Sequence, residues 1–140
     1  MSERPSFFKD LMATPDQPLS RLARFTSAQG LFYMALGLVL MVSPTELLTL
    51  LTGLAAEGQP ALRLCGFTVV VVGWFYFMGG RTGASSFALA TVVDRAIVPF
   101  VMLGLVLTDQ LSLQLVAPVA ILDPVLAFIT WRIWRQAPTE

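Results

Sequence analysis

Two acidic residues and one basic residue interrupt long apolar runs of this sequence, and they are the best candidates for a functional site. Asp94 and Arg95 stand side by side in "TVVDRAIVPF", and Asp123 stands alone in the next apolar run. Two carboxylates could transfer protons, and a guanidinium could hold the acceptor atoms of a ligand. An ionisable group at the centre of a bilayer costs at least about 2.5–3.5 kcal/mol, so each of these side chains needs a partner.

Helical geometry indicates which partners these charges find. Neighbours on a helix point about 100° apart, so Asp94 and Arg95 are poorly placed to pair with each other. We predict an ion pair between Arg95 and Asp123 on two adjacent helices. Asp94 then has three options: to share Arg95, to bond Thr91 one turn earlier, or to take a proton.

Prolines lie close to the same charges. Pro99 and Pro124 each leave the carbonyl four residues earlier without its helical donor, and Pro118 adds a third bend. Unpaired carbonyls in a membrane interior need protein partners, water or a cavity. We therefore predict a polar pocket at the midplane that water could enter, while Arg63 faces the bundle interior from near the outer end of its span. The alternative is a structural ion pair that fixes helix register.

The remaining composition argues against several kinds of site. The 140 residues include no His and one Cys, so we expect no metal site, no disulfide and no paired-cysteine redox site. Cys65 is expected to be a buried, inert thiol. The glycines of "GGRTG" lack the context of a phosphate-binding loop. We therefore expect no cofactor, and an enzyme is the least favoured class.

Composition and charge spacing place the chain in a membrane. Hydrophobic residues make up 56% of it and charged residues 13%. Because a bilayer core of about 30 Å needs about 20 helical residues, we predict an all-α integral membrane four-helix bundle over 25–134. Interfacial elements are predicted at 1–24 and 44–55, before and after the first span, and a tail at 135–140. The four predicted spans are 25–43, 61–80, 85–107 and 113–134.

The distribution of charges predicts the orientation. Arg and Lys, which retain loops in the cytoplasm, precede the first span, separate the second from the third and follow the fourth. Both termini are therefore predicted to be cytoplasmic, and we expect no nucleic-acid partner. On the outer side, "SPTE" predicts a helix with Ser43 as its N-cap and Glu46 closing a capping box. An aromatic belt is predicted on the cytoplasmic side from Trp74, Tyr76, Trp131 and Trp134.

Small residues predict how the spans pack, because helices in lipid associate by close backbone approach. They recur at heptad spacing in the first two spans, which favours a left-handed bundle. In the fourth span Ala120 and Ala127 share a face with Asp123, so Asp123 is predicted to point at other helices. The glycines predicted at helix contacts are Gly30, Gly37, Gly66, Gly73 and Gly80.

Several short motifs of the chain resemble those of a known family. They are "GLVLMVSP" closing the first span, "LRLCGFTVVVVGW" in the second, "DRAIVPF" in the third and an acid in the fourth. Over about residues 22–135 the chain resembles the DoxX-like small four-helix bacterial membrane proteins, although their acid is often Glu and here it is Asp123. The resemblance implies a bundle with a polar centre in the bacterial inner (cytoplasmic) membrane. It implies no single activity, since members include accessory subunits of quinone-linked oxidoreductases and assembly factors.

Three functions remain open for a protein surrounded by membrane lipids. The first is an accessory or assembly subunit that docks on a membrane-protein partner, or on further copies of itself, through exposed glycine faces. The second is a binder or carrier of a small amphipathic molecule, such as a quinone or lipid, near Arg63, Asp94, Arg95 and Asp123. The third is a proton-coupled transporter, acting as an oligomer because four helices are few for alternating access.

Overall fold

The structure is a computed structural model that describes residues 18–136. Helices make up nearly all of this range. No strand occurs within these residues. The helices are α1 (Arg21–Val42), α2 (Thr45–Thr52), α3 (Gln59–Arg81), α4 (Ser85–Leu107) and α5 (Leu113–Arg135), with a short 3₁₀ helix at Ala56–Gly58. All except α2 are long and apolar enough to cross a membrane. The predicted all-α integral membrane bundle with four spans is confirmed.

The first span differs most from its predicted bounds. α1 begins at Arg21, four residues ahead of the predicted start at 25. Ser20 sets this start, because its side-chain oxygen accepts the backbone N–H of Ala23 at 3.1 Å and satisfies one donor of the first turn. Residues 1–17 and 137–140, which hold most of the predicted interfacial segment and tail, lie outside the described residues.

The predicted helix after the first span is present, but it begins differently. α2 begins at Thr45, Pro44 occupies the N-cap, and no side chain caps the helix, so the predicted Ser43 cap and capping box are wrong. Ser43 instead belongs to the end of α1, where its backbone N–H closes the helix and its carbonyl accepts a bond from Arg63. Leu48 is fully buried and anchors α2 on the bundle.

α1 and α3 form an antiparallel pair in which glycines bring the two backbones together. A Cβ atom added to Gly37 would lie 2.5 Å from the carbonyl oxygen of Gly66, and one added to Gly73 would lie 2.7 Å from that of Gly30. Gly80 meets the backbone near the start of α1 in the same way. No side chain fits at such distances, so glycine is required for this approach. The heptad-spaced glycines of the two helices are thus buried against each other.

α4 and α5 form the second antiparallel pair, and the two pairs touch each other much less than the helices within each pair do. One link between them is the amide of Gln29 in α1, which donates to the hydroxyl of Thr130 in α5 at 3.3 Å. Along α5, Asp123, Ala127 and Thr130 are buried and Ala120 is half-buried. The sparse contact between the pairs leaves space at the centre of the bundle.

Candidate functional site

Arg95 and Asp123 lie at the same depth of the bundle. Each stands one position before the middle residue of its 23-residue helix, α4 and α5 respectively. At about 1.5 Å per residue, both Cα atoms are therefore close to the centre of their spans. Tyr33 of α1 contacts Asp123, and Tyr76 of α3 contacts Arg95, so all four spans contribute to one cluster of side chains.

Arg95 is buried without a hydrogen-bonding partner. Only 1% of its surface is exposed, and its Nε and both Nη atoms make no hydrogen bond and no ion pair with residues 18–136. The guanidinium lies over two rings instead, with its Cζ 5.0 Å from the centroid of Tyr76 and 5.5 Å from that of Tyr33. Such contacts are worth about 2 kcal/mol each when desolvated, but they leave the five N–H donors without acceptors.

Asp123 bonds to Tyr33 and not to Arg95. The Tyr33 hydroxyl donates to Oδ1 of Asp123 at 3.1 Å, and the acid is 9% exposed. The predicted Arg95–Asp123 ion pair is therefore wrong. The reason is that Tyr33 contacts both groups, because its hydroxyl binds the carboxylate while its ring faces the guanidinium.

A row of three aromatic rings holds the two tyrosines in place. Tyr33 and Tyr76 meet edge to face, with centroids 5.6 Å apart and planes at 77°. Tyr76 meets Phe87 of α4 in the same way, at 5.6 Å and 82°. Edge-to-face pairs add about 0.5–1.5 kcal/mol each beyond their buried area. The row connects α1, α3 and α4, so it fixes the surroundings of Arg95 across both helix pairs.

A cleft of about 350 Å³ lies beside Arg95 and is lined by all four spans. This volume falls within the range of about 300–1,000 Å³ found for small-molecule sites. Its charged and aromatic lining consists of Tyr33, Tyr76, Asp94, Arg95 and Asp123. Its aliphatic lining consists of Leu36, Val69, Val72, Val119 and Leu122, and Cys65 and Thr68 complete the wall. A charged group therefore faces a largely aliphatic space.

Asp94, Cys65 and Thr68 are exposed where they line the cleft. Asp94 makes no hydrogen bond or ion pair with another described residue. The predicted burial of Cys65 is wrong, because its neighbour Gly66 takes the position that faces α1 and leaves the thiol at the cleft. A carboxylate and a thiol are thus accessible beside the buried guanidinium.

Other residues predicted for the site or its kinks have different surroundings. Thr91 is buried, but its hydroxyl donates to the backbone of its own helix at 2.8 Å and makes no bond to the neighbouring acid. Arg63 donates to two carbonyl oxygens at the end of α1 and does not line the cleft. Both α4 and α5 continue as helices through their prolines, which are Pro99, Pro118 and Pro124.

Tyr33 and Tyr76 were not predicted as site residues. Tyr76 was predicted for the aromatic belt, yet it is 7% exposed, whereas Trp74, Trp131 and Trp134 are each about 40% exposed. The sequence did hold a signal for both tyrosines. Each stands three residues after a glycine of the heptad stripes, and positions three apart on a helix share a face.

The arrangement provides donors and acceptors around one space. Arg95 offers a planar set of N–H donors, while Asp94 and Asp123 offer carboxylate oxygens. At formal charges the three side chains sum to −1. Within residues 18–136, no group of three or more Asp, Glu, Cys or His residues is placed to hold a metal ion. The geometry is suited to holding an organic molecule by its polar end.

Comparison with known proteins leaves the family open. No family model or curated protein matches the sequence, and no solved structure matches the fold. The DoxX-like resemblance stays a prediction, and the function must be inferred from the cleft and the residues that line it.

Proposed function

We propose that this protein binds a small amphipathic molecule in the cleft between its two helix pairs, as a binder or carrier within the membrane. One observation carries the proposal. Arg95 is 1% exposed, lines the cleft and donates to no described residue. An unpaired charge at this depth costs at least about 2.5–3.5 kcal/mol, and a bound head group would supply the missing acceptors.

The rest of the cleft supports an amphipathic occupant. Five aliphatic side chains line the same space as the charged group, so the tail of a ligand would contact hydrocarbon. The cleft is also open where Asp94 and Cys65 are exposed, which would let such a molecule enter sideways from the bilayer. A fully polar solute would leave the aliphatic wall without an apolar partner.

The alternative of an accessory or assembly subunit receives less support. Docking through glycine faces requires small-residue stripes on the outside of the bundle. The five heptad-spaced glycines are instead buried between α1 and α3, where they hold the protein's own helices together. Binding within the bundle is therefore the function we favour.

The orientation we infer has both ends in the cytoplasm of a bacterial cell, with the protein in its cytoplasmic membrane. Because the helices are antiparallel, five arginines lie at one end of the bundle. These are Arg21, Arg24, Arg81, Arg132 and Arg135. Arginine and lysine are enriched in cytoplasmic loops, so this end is inferred to be cytoplasmic. A green fluorescent protein fused to the C-terminus should fluoresce, and an alkaline phosphatase fused there should be inactive; the opposite pair of results would reverse the orientation.

Native mass spectrometry of protein released gently from its own membrane tests the proposed function. We expect a discrete small-molecule mass on the wild type and on Arg24→Met, which removes an exposed arginine outside the cleft. Arg95→Met should lack that mass while remaining folded. A stoichiometric protein partner with no small molecule on any variant would instead identify a subunit of a larger complex.

A further inference from the structure

The unsatisfied atoms of the cleft restrict the head group of its ligand. All three guanidinium nitrogens of Arg95 lack acceptors among the described residues, so the head must carry at least one acceptor oxygen. The planar fork of the guanidinium is matched by carbonyl, carboxylate or phosphate oxygens. A purely hydrocarbon molecule would leave these donors as they are and would gain nothing from Arg95.

The two acids of the cleft restrict the charge of the head. Asp94 and Asp123 line the same space as Arg95, so two acidic side chains already stand against one guanidinium. An anionic head would add a third acidic group to this largely apolar space, where like charges repel strongly. A head without net charge avoids this repulsion and still satisfies Arg95.

The acids also have acceptor capacity to spare. Asp123 accepts one hydrogen bond, from Tyr33 to Oδ1, and Asp94 accepts none from the described residues. An ionised carboxylate has about four acceptor sites on its two oxygens. A ligand head that carries an N–H or O–H donor next to its acceptor oxygen would therefore bond both to the guanidinium of Arg95 and to a carboxylate.

We infer that the ligand is an amphiphile with an uncharged head that presents an acceptor oxygen to Arg95 and an N–H or O–H donor to Asp94 or Asp123. This inference rests on the proposed function and narrows it to one class of head group. Primary amides and hydroxy-carbonyl compounds have this chemistry. Fatty acids in their ionised form do not, and simple ketones have only half of it.

The test uses three probes with similar tails and different heads. Ligand-depleted protein in phosphatidylcholine nanodiscs is titrated with decanamide, 2-undecanone and decanoate. All three titrations are run at about pH 9, where a carboxylic acid is ionised. Native mass spectrometry gives the apparent Kd of each. We expect decanamide to bind at least about tenfold more tightly than either of the others, a difference of about 1.4 kcal/mol.

Variants assign the preference to the named groups. Arg95→Met should weaken decanamide binding about tenfold or more, while Arg24→Met should leave it unchanged. Asp94→Asn removes one negative charge at a residue without bonds to the described protein, so it should raise the affinity for decanoate relative to decanamide. The same titration on all variants reports folding through the charge-state distribution, while the intact mass confirms each substitution.

Failure of this inference is distinguishable from failure of the proposed function. If decanoate binds the wild type as tightly as decanamide and depends on Arg95, the cleft is a ligand site but the uncharged head is wrong. If 2-undecanone matches decanamide, the donor to the acids is wrong. If no probe binds and no small molecule accompanies the protein from its membrane, both the head-group inference and the proposed function are overturned.

Discussion

Replacing Arg95 by Met should cost the ligand-free protein little or no stability. The change removes the buried charge, a relief of about 2.5–3.5 kcal/mol at the middle of a span. Against this stands the loss of the two contacts with Tyr76 and Tyr33, worth about 2–4 kcal/mol together. A thioether beside the same rings recovers about 0.3–1.5 kcal/mol for each contact. The net change therefore lies between about 1 kcal/mol of destabilisation and about 4.5 kcal/mol of stabilisation.

A structural ion pair would give a different result. Removing one partner of a buried pair leaves the other charge uncompensated and costs about 3–5 kcal/mol. For a chain of about this length, 1 kcal/mol shifts Tm by roughly 3 °C. The expected change of Tm for Arg95→Met thus lies between a fall of about 3 °C and a rise of about 13 °C, whereas loss of a structural pair would lower Tm by about 10–15 °C.

Thermal unfolding of ligand-depleted protein in nanodiscs measures this difference. Depletion matters because a ligand bound only to the folded wild type would raise its Tm and make the variant look unstable. Arg24→Met serves as the matched control, since it removes the same group from an exposed position. A fall of 10 °C or more confined to Arg95→Met would refute the conclusion that Arg95 lacks a protein partner.

Four further substitutions test the helix packing and the surroundings of the cleft by the same unfolding measurement. Gly73→Ala places a Cβ 2.6 Å from a backbone nitrogen of α1 and should cost about 3 kcal/mol, while Gly104→Ala, with nothing within 4 Å, should stabilise the helix by up to about 1 kcal/mol. Tyr33→Phe deprives the Asp123 carboxyl of its donor and should cost about 1–3 kcal/mol; a loss below 0.5 kcal/mol would contradict this bond. Arg63→Met removes two bonds to the end of α1 and should cost about 2 kcal/mol, with faster amide exchange at that end; unchanged exchange there would contradict the capping role.

The spans and their packing were predictable because simple physical rules determine them. A bilayer requires about 20 predominantly apolar helical residues, so the charged residues between the apolar runs mark the ends of the spans within a few residues. Backbones that touch require glycine, so heptad-spaced glycines mark the faces that meet, as Gly37 and Gly66 do. Both rules depend on residue type and spacing alone.

The bonding inside the cleft was not predictable in this way. Opposite charges at the same depth predict an ion pair, but in the structure Asp123 accepts a hydrogen bond from the hydroxyl of Tyr33. This hydrogen bond depends on the rotation of α1 and α3 relative to α4 and α5. The residue periodicity of a single helix does not determine that rotation. The exposure of Cys65 has the same cause, since only the direction of its neighbour Gly66 toward α1 decides which way the thiol faces.

Tyr33 keeps the polar groups of the cleft available to the ligand that we propose. If Asp123 bonded directly to Arg95, the pair would use donors and acceptors that now remain free, and fewer would be available to a polar head. The hydroxyl of Tyr33 instead occupies one oxygen of Asp123, and its ring stabilises Arg95 without taking a single N–H donor. Arg95 and Asp123 are thus kept unpaired at one depth, and both the donors of Arg95 and the acceptors of Asp94 and Asp123 line the same space. A neutral head with both kinds of atom is complementary to that arrangement.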